Sequence, residues 1–262
     1  MKKTIIYLIA ASIFLGAMII GCNGCKSKSG TSPTEPTPTA TLTPVRYIVD
    51  DMEDGDNRTN SVLFGGYWYT YDDLAAPNNG DSIVWPMSET AMIKYGYPTP
   101  VATFQMTAPG YNGSAYCARI SGTVTTTFQY GFIGMGFDLL DAGAGNPKIP
   151  INFVAQGYTG LKFWYKNGPS VTGSKNWKVK LCSTYNGLGD SDDQPRKVFT
   201  ATDTWQQFDV ALTDFTQEGW CSNSSKCYPI ADLLTSIVAI QFQTDYRPGA
   251  ADLMVDDIEL VK

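Results

Sequence analysis

From residue 46 onward the chain is written in short apolar runs of period two, separated by clusters of Gly, Asn, Asp and Pro. Trp177, Val179 and Leu181 alternate with Lys178, Lys180 and Cys182. Leu161, Phe163 and Tyr165 alternate with Lys162, Trp164 and Lys166, and Ile240 and Phe242 alternate with Gln241 and Gln243. Successive side chains of a strand point to opposite faces, so this alternation marks strands with one dry and one wet face. The pattern predicts strands over 46–52, 62–71, 82–86, 114–122, 129–138, 159–167, 176–183, 196–200, 205–211, 235–244 and 252–261. No convincing amphipathic helix is predicted after residue 45, and only 231–234 suggests a helical turn. Many short strands with turn signals between them predict an all-β fold, an antiparallel β-sandwich jelly roll.

The N-terminus follows a different rule. Lys2 and Lys3 precede an apolar run over residues 5–20. That run is short for a membrane span, which needs roughly 20 apolar residues, and reads as an export signal. It ends Ile19-Ile20-Gly21-Cys22, with no A-x-A site before the cysteine. The ending resembles the lipobox of bacterial lipoproteins. The resemblance implies cleavage before Cys22 and acylation of Cys22, and several acyl chains give a stable anchor. Asn23, rather than Asp, points to the outer membrane or cell surface. Residues 26–44 are rich in Pro, Thr and Ser, with Leu42 the one large apolar residue, a composition that cannot repay the entropy of ordering. Near polyproline geometry, about 20 such residues reach roughly 60 Å. The expected organisation is a signal peptide over 1–21, a lipidated cysteine and disordered linker over 22–45, and one β-sandwich domain over 46–262.

Composition narrows the chemistry. The net charge of −6 becomes −8 when Lys2 and Lys3 leave with the signal, which disfavours nucleic acid as a partner. The chain has no histidine, so histidine-based triads, metal ligation and acid–base catalysis are excluded. Tyrosine is abundant, 15 residues against 12 Phe and 6 Trp, more than a core alone needs. Cys221 and Cys227 bracket the polar loop CSNSSKC and are expected to form a local disulfide, in keeping with an oxidising compartment. Cys117 and Cys182 fall in predicted strands, either as a second disulfide or as inert buried thiols.

Six segments, in order, carry a wider resemblance: Val49-Asp50-Asp51-Met52-Glu53-Asp54-Gly55-Asp56, Gly65-Gly66-Tyr67-Trp68-Tyr69-Thr70-Tyr71-Asp72-Asp73, Tyr130-Gly131-Phe132-Ile133-Gly134-Met135-Gly136-Phe137, Gly160-Leu161-Lys162-Phe163-Trp164-Tyr165-Lys166, Thr204-Trp205-Gln206-Gln207-Phe208 and Met254-Val255-Asp256-Asp257-Ile258-Glu259-Leu260. Together they resemble the galactose-binding-domain-like jelly rolls of carbohydrate-binding modules, in particular family 11 and the complex I intermediate-associated protein 30 group. The resemblance implies a non-catalytic polysaccharide-binding domain with a β-glucan-like or related ligand, and a structural calcium where the first and last strands meet. Asp51, Glu53, Asp256 and Asp257 are the expected calcium ligands, the alternative being a solvated rim of charge.

Sugars stack their C–H faces on aromatic rings and hydrogen-bond through their hydroxyls. Trp68, Tyr69, Tyr71 and Asp72 form the first candidate group, with Trp68 expected inward and Tyr69 and Tyr71 outward. Trp85, Tyr130 and Tyr185 are further candidate rings, and Gln194 and Arg196 candidate polar partners. Asp190-Ser191-Asp192-Asp193 reads as an exposed polar turn, since it lacks the Gly and distal Glu of an EF-hand loop. Two rival readings are a structural or adhesive surface protein and a lipid-anchored glycoside hydrolase.

Overall fold

The computed structural model describes residues 46–60, 63–97 and 104–262. The expected signal, Cys22 and linker therefore lie outside the described residues. Eleven strands form two antiparallel sheets. The first joins β3 (Ile83–Trp85), β4 (Ala118–Val124), β11 (Gly249–Val261), β6 (Gly160–Asn167) and β9 (Gln206–Ala211), in that order. β1 (Arg46–Asp50) pairs with the distal part of β11, continuing the edge along which β4 pairs with its proximal part. The second sheet runs β2 (Trp68–Asp72), β5 (Ile133–Asp138), β10 (Ile237–Thr244), β7 (Lys175–Ser183) and β8 (Arg196–Ala201). All eleven predicted strands are present, with ends shifted by a few residues.

Alternation decides which side chains fill the space between the sheets. Trp68, Met135, Phe137, Ile240, Phe242, Trp177, Val179 and Leu181 face inward from the second sheet. Ile120, Leu161, Phe163, Phe208, Leu253 and Val255 face them from the first. Phe163 stacks on Phe208 at 4.5 Å within its own sheet and meets Phe242 edge-on at 5.1 Å across the gap. Burying each such ring stabilises the fold by about 1.5–3 kcal/mol.

Two expectations are corrected. A helix, α1 (Glu89–Tyr95), follows β3. It lacks the length of a periodic pattern, but Ser88 caps its first turn by accepting from the N–H of Ala91, and Gly96 ends it in a left-handed conformation. A second helix, α2 (Phe153–Gln156), of four residues, is also unanticipated, whereas α3 (Ile230–Leu233) matches the expected turn. The disulfide Cys221–Cys227 is present, but Cys117, just before β4, and Cys182, on β7, are free and buried. The Cys117 thiol donates to the carbonyl of Thr107 at 3.3 Å, and Cys182 packs against Val238 and Ala239. Burial pushes the two thiols up to about 12 and about 11, so neither is a ready nucleophile.

Candidate functional site

The outer face of the second sheet is ordered by strand register into two rows. Tyr69 pairs with Gly136, Gly136 with Gln241, Gln241 with Lys180, and Lys180 with Arg196. One step along the same face, Tyr71 pairs with Gly134, Gly134 with Gln243, Gln243 with Lys178, and Lys178 with Val198. Each row thus runs from a tyrosine over a glycine and a glutamine to a lysine. Gly134 makes room for a ring and Gly136 for a glutamine. A Cβ on Gly134 would stand 2.3 Å from Tyr71 Cζ, and one on Gly136 would stand 2.7 Å from Gln241 Cγ. Tyr71 therefore lies across β5, with its ring centre 6.3 Å from that of Tyr69.

Hydrogen bonds fix the polar groups between the rings. Gln241 Nε2 donates to the Tyr69 hydroxyl at 3.0 Å. Gln243 Oε1 accepts from the Tyr71 hydroxyl at 3.4 Å and from Lys180 Nζ at 3.3 Å. At the β8 side, Glu218 Oε1 accepts from Lys178 Nζ at 2.9 Å and from Arg196 Nε at 2.5 Å, while its Oε2 accepts from the Tyr246 hydroxyl at 2.7 Å. Burial opposes ionisation of Glu218. The bonds from Lys178, Tyr246 and Arg196 outweigh it and hold the carboxyl at about 2. Tyr130, half exposed, packs edge-on to Tyr246 at 5.6 Å and extends the aromatic rim. At the β2 side, Lys148 Nζ lies 3.1 Å from Asp138 and 3.5 Å from Asp190, and above the ring of Tyr69.

Glu218 reaches this face from a loop anchored by a buried carboxylate. Asp193 accepts from the backbone N–H groups of Glu218 at 2.9 Å, Gly219 at 2.8 Å and Cys221 at 3.0 Å. Cys221–Cys227 closes the loop behind them. The acidic turn is therefore only partly an exposed one: Asp190 is exposed, whereas Asp193 is an internal anchor.

The sequence candidates divide sharply. Tyr69, Tyr71, Tyr130 and Arg196 are brought together on this face. Trp68 is in the core, as expected, against Phe137 at 4.7 Å. Asp72 is not a surface partner: it is buried, accepting from the N–H of Leu74 and the hydroxyl of Ser88, because the strand ends there and needs an acceptor. Gln194 is buried between Ser183 and Gly189, bonding their backbone groups. Trp85 is exposed but sits on β3, in the other sheet. Tyr185 lies beyond the end of β7, edge-on to Tyr228 at 5.2 Å. Gln241, Gln243, Lys178, Lys180, Glu218 and Tyr246 were not singled out. The alternation in β7 and β10 puts the first four on one face, drier than expected because Lys178, Gln241 and Gln243 are buried there, and nothing local marks Glu218 or Tyr246, which arrive from loops.

The acidic ends meet as the strand order requires, since β1 pairs with β11. Asp256 accepts from the N–H of Tyr111 at 2.6 Å and from that of Asp257 at 2.9 Å. Glu53 accepts from the Ser114 hydroxyl and from Ala115 N at 3.0 Å, and Asp51 from Glu53 N at 3.3 Å. Burial pushes Asp256 up to about 6, and burial together with the charges of Asp51 and Glu53 raises Asp257. Among the described residues no group of three or more His, Cys, Asp or Glu side chains is spaced to hold a metal ion. Glu53 and Asp256 turn oxygens to N–H and O–H donors, and as the four carboxylates stand they do not compose the six or more oxygens that calcium takes.

No family model matches the sequence. Residues of the chain are 28% identical over 182 positions to Endoglucanase 3 of Fibrobacter succinogenes, an alignment covering 66% of this chain and 21% of that protein. The chain thus spans about a fifth of that relative's length. Among solved structures, a family 11 carbohydrate-binding module from Clostridium thermocellum, in complex with a β-1,3-1,4-mixed-linked tetrasaccharide, is 15% identical. That match covers 82% of this chain and 95% of the module, with a TM-score of 0.49. A family 30 carbohydrate-binding module is 17% identical over 62% of this chain and 85% of its own, with a TM-score of 0.43. The described domain is, on its own strand order, an antiparallel β-sandwich of the jelly-roll type.

Proposed function

We propose that the chain binds polysaccharide on the outer face of its second sheet, without catalysing a reaction there. The observation that carries this is the pair of register-aligned rows in which Tyr69 and Tyr71 lie beside amide and ammonium groups on a glycine floor. Rings supply stacking surface at small cost in conformational entropy, and the amides meet hydroxyls as both donors and acceptors. The partial likeness to an endoglucanase supports a glycan ligand, with β-glucan the first to try. Glu218, the carboxylate bonded to Lys178 and Arg196, is unsuited to serve as the acid of a hydrolase. Both of its oxygens are engaged and it is held ionised, whereas a glycosidase needs one carboxyl protonated and a second at a set distance.

The module is displayed on a lipid tether at Cys22, at the outer membrane or cell surface, and the Pro/Thr-rich segment 26–44 acts as its stalk. The residue pattern before Cys22 supports this. Affinity electrophoresis in gels containing soluble glycans tests the binding. Retardation that Tyr69→Ala and Tyr71→Ala each reduce is expected. Wild-type mobility in every gel would overturn the reading, and release of reducing sugar would replace it with hydrolysis. Labelling with radioactive palmitate, lost in Cys22→Ser, tests the tether.

A further inference from the structure

We infer that the ligand of this face is an acidic polysaccharide, one whose sugars carry carboxylates, with a carboxylate seated between Lys180 and Arg196. The inference rests on the glycan-binding reading above and deepens it. Lys180 and Arg196 are direct cross-strand partners on one face. Like charges placed opposite each other across a ladder are destabilising. A third cation, Lys178, stands on the same strand two residues from Lys180, and its side chain is only 4% exposed.

Two of the three cations share one close carboxylate, and the third, among the described residues, has none. Glu218 takes Lys178 at 2.9 Å and Arg196 at 2.5 Å, and Asp245 reaches Lys178 only at 4.0 Å. Lys180 has no ion pair among the described residues. It donates to Gln243 Oε1 and lies 5.7 Å from the centre of the Tyr71 ring. Burial lowers the proton affinity of Lys178 against the pull of Glu218 and Asp245, and the charge of Lys180 adds a smaller lowering. The three cations stand together in a chain whose net charge is −6.

The hydrogen-bond inventory points the same way. Among the described residues Arg196 bonds through its Nε, leaving both terminal nitrogens of the guanidinium, and Lys180 has two further N–H groups. The face is therefore rich in donors. Neutral sugar hydroxyls donate as well as accept, so they match such a surface poorly. A carboxylate only accepts, and the fork of an arginine fits its two oxygens. Tyr69 and Tyr71 would stack on the sugar rings while the acid group enters the cationic end of the row.

The test is affinity electrophoresis of the full chain in gels of polygalacturonate, alginate, mixed-linked β-glucan and dextran sulfate, at two salt concentrations. We expect a polyuronate to retard the wild type most. Lys180→Gln should weaken that retardation roughly ten- to hundred-fold, the span of a lost charge-assisted hydrogen bond, while leaving the circular dichroism spectrum unchanged. Retardation by β-glucan but by neither polyuronate overturns the inference and leaves glycan binding standing. Equal retardation by dextran sulfate overturns it in favour of general polyanion exchange. Polyuronate binding that Lys180→Gln leaves intact also overturns it, and no retardation in any gel removes both readings.

Discussion

The indole nitrogen of Trp68 donates to Asp50 Oδ2 at 2.6 Å, and the bond joins β2 of one sheet to β1 of the other. Both residues are almost wholly buried. Burial pushes Asp50 up to about 7, even though Trp68 and the N–H of Met52 favour its charged form.

A pH dependence of stability follows from Asp50. Its folded value exceeds the ordinary 3.8, so the folded state holds a proton that the unfolded state releases. The contribution is fully present below about pH 4 and is lost as pH rises toward 7, at up to about 1.4 kcal/mol per pH unit for one proton. Asp256, raised to about 6, acts in the same direction over a narrower window. The melting temperature should fall between pH 4.5 and 8, and Asp50→Asn, which keeps an acceptor for Trp68, should flatten that slope. An unchanged slope in the variant would assign the dependence to other groups.

The two faces of β2 should respond to truncation in opposite ways. Trp68→Ala removes a core ring and should destabilise the domain by about 3–5 kcal/mol. Tyr69→Ala and Tyr71→Ala should leave the melting temperature within a few degrees while weakening glycan binding about tenfold each. Thermal melts and titration calorimetry on the three variants separate the roles.

Gly134→Ala should mimic loss of the ring above it. The added methyl group overlaps Tyr71 Cζ, so the ring must swing off β5. Binding should fall as far as in Tyr71→Ala, and the double variant should be no worse than either single one. Additive losses in a double-mutant cycle would show that the glycine acts elsewhere.

Asp193→Ala should disorder the loop that presents Glu218. Three N–H groups lose their acceptor, at about 1–3 kcal/mol for each one left buried. Hydrogen exchange should speed up over residues 216–228, and Lys178 should lose its counter-ion. Exchange unchanged in that segment would mean that Cys221–Cys227 holds the loop by itself.

Calcium added after chelation should leave the melting temperature unmoved. A rise that Asp256→Asn removes would show that Asp51, Glu53, Asp256 and Asp257 rearrange to bind the ion.

The strands and the face of each residue were legible because period two is imposed by backbone geometry, as in Lys178, Lys180 and Cys182 against Trp177, Val179 and Leu181. The split of Trp68 from Tyr69 and Tyr71 was legible for the same reason. What escaped was assembly across the sheet. Nothing near Tyr71 in sequence announces that Gly134, Gln243 and Lys178 will extend its row, since those partners are fixed by strand order. Asp72 and Gln194 misled because a polar residue at a strand end serves the backbone as readily as a ligand. Glu218 and Tyr246 were invisible because loop tips carry no periodicity.

The alternation along β2, β5, β7 and β10 also separates what holds the domain together from what it recognises. Trp68, Met135, Val179, Leu181, Ile240 and Phe242 point one way; Tyr69, Gly136, Lys180 and Gln241 point the other. A lineage carrying this scaffold can exchange residues on the outward rows one at a time without reopening the interior. Changes of ligand then need no compensating repair of the core, and the two sets of positions are free to drift at different rates.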